Sequence, residues 1–188
     1  RKVLIIYNPA ESADLHYADG QRFLSAPLAY LGLSIEYLPF NGKLPTQPLT
    51  GRYAGIISWI NDDSVASNSD YPRWLEQQIN AGMPIAIFSR FGVNADSGLL
   101  PILGLNYQEL TATDVLTVKN QDPMMGFEIP VRARQSHLYP IRAETNSQPL
   151  LTLANQQGQE FHPAAITSWG GYVLAPYTIE ELPHDNAG

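Results

Sequence analysis

The residues best equipped for chemistry in this sequence stand at the ends of three apolar runs. They are Tyr7-Asn8, then Trp59 with Asn61-Asp62-Asp63, then Ser89-Arg90-Phe91. Tyr7, Asn8, Trp59, Asn61, Asp62, Asp63, Ser89 and Arg90 together supply an aromatic platform, two carboxylates, amides and a guanidinium. That set would suit a polar ligand such as a sugar. Two catalytic readings start from the same residues. The Asp62/Asp63 pair could serve a hydrolase, but adjacent residues in a turn rarely converge on one substrate atom. Glycosidase carboxylates stand roughly 5–9.5 Å apart across the bond they cleave. Ser89 could act as a nucleophile, but the residues around it do not spell a Gly-x-Ser-x-Gly elbow. A serine triad also needs a positioned histidine, and the only histidines are His16, His137, His162 and His184. A purely structural reading fits too: Asp is favoured in any strand-to-helix turn, and Trp59 suits a core. By the same logic His16 reads as a solvated loop residue and His162, before Pro163, as the cap of a hairpin end.

Other chemistries lack their parts. No two histidines are near neighbours, and neither His-x-x-x-His nor Asp-x-Asp occurs, so no metal site is expected. The chain has no cysteine, which removes thiolate ligands, disulfides and cysteine nucleophiles and leaves the redox compartment open. No Gly-x-Gly-x-x-Gly or phosphate-loop pattern is present. The first turn, Asn8-Pro9-Ala10-Glu11-Ser12, offers a flavin or phosphate only Ser12. No cofactor is expected. With 11 Lys and Arg against 18 Asp and Glu the net charge is −7, a poor match to a phosphate backbone, so nucleic acid is not an expected partner. The longest apolar runs, Val3–Ile6 and Ile85–Phe88, fall far short of the roughly 18 residues of a membrane span.

The elements that must position these residues follow from hydrophobic pattern. Lys2–Tyr7, Tyr53–Ile60 and Pro84–Ser89 are short, nearly continuous apolar runs, as in strands buried on both faces of a parallel sheet, and Leu33–Leu38, closing at Pro39, reads as a further strand. Between them, Phe23, Leu24, Pro27, Leu28 and Leu31 recur at helical spacing with Gly32 as a stop. Pro27 predicts a late start or a kink. A second helix is capped by Ser69 or Asp70, carries Pro72 in its first turn, buries Trp74, Leu75, Gln78 and Ile79, and stops at Gly82. Leu99–Leu103 reads as one further short helix. Beyond residue 110 the pattern turns to strands: Val115–Val118, Phe127–Val131, Leu138–Ala143, Leu150–Asn155, Ala165–Ser168 and Gly171–Pro176. The turn Asn155–Gln159 predicts antiparallel pairing of Leu150–Asn155 with Phe161–Thr167. A last helix is expected at Ile179–Leu182. The expectation is one domain over residues 1–188: a three-layer α/β half with a mostly parallel sheet (about 1–110) and a β-rich half (about 111–188). A chain opening at Arg1 and closing on His-Asp-Asn-Ala-Gly fits a mature form or an excised piece of a longer protein.

Three segments carry a resemblance: Tyr53–Trp59, Trp74-Leu75 through Pro84–Gly92, and Gly170–Tyr177. There the chain resembles the α/β domain of PelA-like proteins, the bifunctional periplasmic proteins that process the Pel exopolysaccharide of biofilms. In them a glycoside-hydrolase barrel precedes this domain and a carbohydrate deacetylase follows it. The likeness spans nearly the whole chain and rests on strand-and-turn patterns, not catalytic signatures. It implies a flavodoxin-like or class I glutamine-amidotransferase-like three-layer fold with a β-rich C-terminal extension, and a periplasmic location. It also implies a non-catalytic accessory role: neither of the family's catalytic centres matches this sequence, and an amidotransferase would need the cysteine it lacks. Implied partners are neighbouring domains of the same polypeptide and a cationic, deacetylated polysaccharide. The alternatives are a docking module anchored by Trp169, Tyr172 and Tyr177, and a carbohydrate-active hydrolase using Asp62/Asp63 or Ser89.

Overall fold

A computed structural model describes residues 1–63, 70–94, 98–110, 115–123, 132–134 and 138–176. The chain divides into two compact units, Arg1–Leu103 with Trp169–Gly171, and Gly104–Ser168 with Tyr172–Gly188.

In the first unit the apolar runs become β1 (Lys2–Tyr7), β2 (Ser34–Pro39), β3 (Tyr53–Ile60) and β4 (Ile85–Ser89), parallel and ordered β2-β1-β3-β4. Helices α1 (Asp19–Tyr30), α2 (Tyr71–Asn80) and the short α3 (Leu99–Ile102) complete it. The two longer helices lie on opposite faces. A Cβ placed on Gly20 of α1 would meet Ile5 Cγ2 at 2.9 Å and Trp59 Cβ at 3.9 Å, whereas Tyr71 of α2 hydrogen-bonds Ser58 Oγ at 2.8 Å. Successive strand residues point to opposite faces, so Ser58 and Trp59 assign the helices to different layers. Three layers result, as the pattern predicts.

Helix α1 differs from expectation in phase. The inward stripe is Gly20, Leu24 and Leu28, while Phe23 is 53% and Leu31 69% exposed. Contact of the helix backbone with the sheet at Gly20, where no larger residue fits, sets the rotation. The helix begins at Asp19, earlier than expected, and includes Pro27, which falls in its last turn, and Leu31 N–H still bonds the Pro27 carbonyl. In α2 Tyr71, Pro72, Trp74, Leu75 and Gln78 are buried, and Ile79 is half-buried. Asp70 is the N-cap residue but makes no side-chain cap bond.

The second unit is antiparallel. It holds β5 (Leu105–Tyr107), β6 (Val115–Gln121), β7 (Arg132–Arg134), β8 (Ile141–Ala143), β9 (Gln148–Ala154), β10 (Glu160–Ile166) and β11 (Tyr172–Leu174). One sheet runs β11-β10-β9-β6-β7, and β5 pairs with β8 in a separate ribbon. The expected hairpin is β9–β10. Asn155 Oδ1 accepts from Gln157 N–H (3.1 Å) and Gln159 N–H (2.8 Å), and Gly158 takes φ 81° to turn the chain. Leu116, Leu138, Leu150, Leu151, Leu153, Phe161 and Ala164 form the core here. Some strand expectations shift: Ala165-Ile166 end β10 instead of opening a new strand, only Ile141–Ala143 of the Leu138 run is strand, and β5 and β7 are additional. The strand expected at Phe127–Val131, the helix at Ile179–Leu182, and Ser69, His137, Tyr177 and His184 lie outside the described residues. No helix among the described residues is long and apolar enough to cross a membrane.

Candidate functional site

Ligands of open α/β sheets sit beyond the carboxyl ends of the strands. In the first unit β1, β3 and β4 end side by side there, with Tyr7 in register with Trp59 and Ile60 with Ser89. The residues that follow are tied to one another. Asn8 is buried; its Oδ1 accepts from Ala10 N–H at 3.0 Å and its Nδ2 donates to Glu11 Oε1 at 3.0 Å. The same Glu11 oxygen accepts from Asn61 N–H at 2.9 Å, and Asn61 Nδ2 donates to Asp19 at 2.7 Å. Asp63 closes the far side: Oδ2 accepts from Arg90 Nη1 at 2.8 Å and Oδ1 from Phe91 N–H at 3.1 Å. Asn8 and Asn61 are thus linked through Glu11, and Asp63 is paired with Arg90. Two carboxylates of the cluster, Glu11 and Asp63, act as clamps between loops.

Desolvation pushes the Glu11 carboxyl above its ordinary value, against the hydrogen bonds from Asn61, Asn8 and the Asp62 backbone that favour its charged form; the charge of Asp62 adds to the rise. Asp62 is exposed at the rim, whereas Asp63 faces Arg90, so the adjacent aspartates diverge as turn residues do. Among the described residues no group of three His, Cys, Asp or Glu is placed to hold a metal ion.

The aromatic residues have mixed positions. Trp59 is half-buried and stacks between Phe23 (5.7 Å) and Phe88 (5.1 Å). Tyr7 meets Tyr37 edge-on at 6.4 Å. Trp169 donates its indole N–H to the Leu103 carbonyl at 3.3 Å and covers Gly171 so closely that a Cβ there would fall inside the ring, an internal anchor. Tyr172 is half-buried in β11.

Ser89 is the one non-glycine among the described residues with positive φ, 67°. That conformation costs a residue with a Cβ on the order of 1–3 kcal/mol and clusters at functional sites. The turn after it is tight: Arg90 N–H bonds the Ile60 carbonyl at 2.7 Å, and Gly92 takes φ 72° against Ile60 and Phe40. Ser89 thus ends its strand on the strained kind of turn that defines a nucleophile elbow, although the flanking glycines of that motif are missing.

Sequence reasoning passed over Glu11 and Asp19; the three-residue spacing of Asn8 and Glu11 in a loop was the available signal. His162 does not cap a hairpin. It sits within β10, 6% exposed, because its Nδ1 accepts the Ala143 N–H at 3.0 Å and gives the buried ring a partner. His16 lies exposed in a 3-10 turn, Leu15–Tyr17, capped by Asp14.

No family model matches the sequence, and neither does any curated protein. Solved structures do match. A glutamine amidotransferase from Methylobacillus flagellatus superposes with a TM-score of 0.56 at 12% identity, over 96% of this chain and 71% of that one. The fold is glutamine amidotransferase-like. A second such enzyme, from Thermotoga maritima, gives 0.55 at 13% identity over 92% and 74% of the two chains. Identity this low carries the architecture and not the activity.

Proposed function

We propose that this chain is a non-catalytic accessory domain of an extracytoplasmic, periplasmic protein that processes exopolysaccharide, and that its acidic strand-end rim contacts a cationic, deacetylated polymer while the domain orients its neighbours. The observation that carries the reading is how the carboxylates are used. Glu11 and Asp63 hold loops together, Glu11 accepting from Asn8 and Asn61 and Asp63 from Arg90 and Phe91, while Asp62 stays exposed at the rim on a chain of net charge −7. Attraction between exposed charges is screened within about 8 Å at physiological salt. Titration with deacetylated and with fully acetylated amino-sugar oligomers tests it. The expected result is binding of the cationic oligomers alone, weakened by salt and by Asp62→Asn. Salt-insensitive binding, equal binding of both, or none would overturn it.

One observation favours a second reading, a hydrolase: the positive φ of Ser89. A fluorophosphonate probe that labels the protein, and fails to label the Ser89→Ala variant, would establish it. An unlabelled native chain would leave the strained turn a structural feature.

A further inference from the structure

Helix α1 is apolar on both sides. From Phe23 to Leu33 the chain reads Phe-Leu-Ser-Ala-Pro-Leu-Ala-Tyr-Leu-Gly-Leu, without a charge and with Ser25 as its one polar side chain. A helix laid on a sheet needs a single apolar stripe, and Gly20, Leu24 and Leu28 supply it. The opposite side carries Phe23, Ala26, Ala29 and Tyr30, all exposed, with Pro27 and Leu31 at its margin. Tyr30 is 92% exposed, Leu31 69% and Phe23 53%. A contiguous apolar face of this kind marks contact with another surface.

Charge and spacing choose the occupant. The only charges of α1, Asp19 and Arg22, pair with each other at 3.7 Å in its first turn, and the Arg22 guanidinium lies 5.2 Å from the Phe23 ring centroid. On a chain of net charge −7 this face is close to neutral, so it offers little to a charged partner and lets a second copy approach without like charges meeting. Phe23 and Tyr30 stand seven residues apart, two helical turns, with Ala26 between them on the same side. With two α1 helices antiparallel about a two-fold axis at Ala26, Phe23 of each copy meets Tyr30 of the other, and the small alanines let the helices close. Stacking on Trp59 at 5.7 Å already holds the Phe23 ring in place. At about 150–250 Å² for an aromatic side chain, Phe23 and Tyr30 alone expose roughly 300 Å². With Arg22, Ala26, Pro27, Ala29 and Leu31 each copy can bury about 500 Å², and the pair about 1,000 Å², the lower bound of a specific interface. We propose that a second copy of this chain covers the outer face of α1 in a weak, two-fold symmetric dimer.

Sedimentation equilibrium of the full chain from low to high micromolar concentration tests the assignment. The expected result is a monomer–dimer equilibrium within that range. Tyr30→Glu would bury two unpaired carboxylates per dimer and should raise the dissociation constant about 100-fold or more. Tyr30 is almost fully exposed, so the circular dichroism of this variant should match the native protein. The chain has no cysteine, which makes Ala26→Cys a direct report on the axis. With oxidised glutathione as the oxidant it should give a disulfide-linked dimer, whereas Gln77→Cys, exposed on α2, should not. A dimer that survives Tyr30→Glu, or equal cross-linking of the two cysteine variants, would overturn the proposal. A monomer at every concentration would overturn it too, in favour of a different protein on this face.

Discussion

Gly92→Ala probes the strand-end turn most directly. The residue holds φ 72°, and a Cβ there would lie 2.9 Å from Ile60 Cδ1 and 3.1 Å from Phe40 Cε2. Ile60 and Phe40 are both fully buried, so neither can yield cheaply. Two costs follow. The left-handed backbone costs an alanine about 1–2 kcal/mol, partly offset by about 0.5–1 kcal/mol from the stiffer unfolded chain. Overpacking the core adds about 1–3 kcal/mol. The net destabilisation expected is about 2–3 kcal/mol. Gly82→Ala is the internal control, since Gly82 has φ 75° and nothing within 4 Å of its Cβ position, so it carries the backbone cost alone. Urea unfolding followed by tryptophan fluorescence reads this unit well, since Trp59, Trp74 and Trp169 all belong to it. Phe40→Leu in the Gly92→Ala background should restore part of the loss. If Gly92→Ala costs no more than Gly82→Ala, the turn is not held by Ile60 and Phe40, and the packing argument fails.

Three further outcomes are expected. Asp63→Ala removes the acceptor of the Phe91 N–H together with the half-exposed Arg90 pair and should cost about 2–3 kcal/mol; Asp63→Asn keeps an oxygen for Phe91 and should cost under about 1 kcal/mol, so equal losses would count against the clamp. His162 has a folded pKa below its ordinary 6.5, so the unfolded chain takes up the proton first. Stability should be full above pH 6.5 and fall as pH drops below it; chemical denaturation across that range should show a slope reduced in His162→Gln, and identical slopes would refute it. Gly171→Ala should displace the Trp169 ring and shift its emission, and an unchanged spectrum would mean the ring does not pack on Gly171.

Local pattern carried far where neighbours along the chain decide the outcome. The run Tyr53–Ile60 is β3 to the residue, because it is apolar on both faces and bounded by turns. The β9–β10 hairpin was legible in Asn155–Gly158, since an Asx turn and a left-handed glycine are local chemistry. Pattern failed where distant groups compete. Phe23 and Leu31 match a helical stripe, yet contact of Gly20 with Ile5 and Trp59 turns α1 and leaves both exposed. His162 beside Pro163 looks like a loop residue until the Ala143 N–H, nineteen residues away in sequence, satisfies its ring inside a strand.

The site divides the same way. From sequence alone came the strand ends and the list Tyr7, Asn8, Trp59, Asn61, Asp62, Asp63, Ser89 and Arg90, because in a parallel sheet the residues after each strand must share one edge. Only the tertiary structure decided what each one does there. Glu11 became a bridge to Asn61, Asp63 turned from Asp62 toward Arg90 and Phe91, and Ser89 took a left-handed backbone. Periodicity fixes which face or end a residue occupies, but the partner of a polar atom is set by whichever complementary group the fold brings within 3 Å, and that distance is not written along the chain.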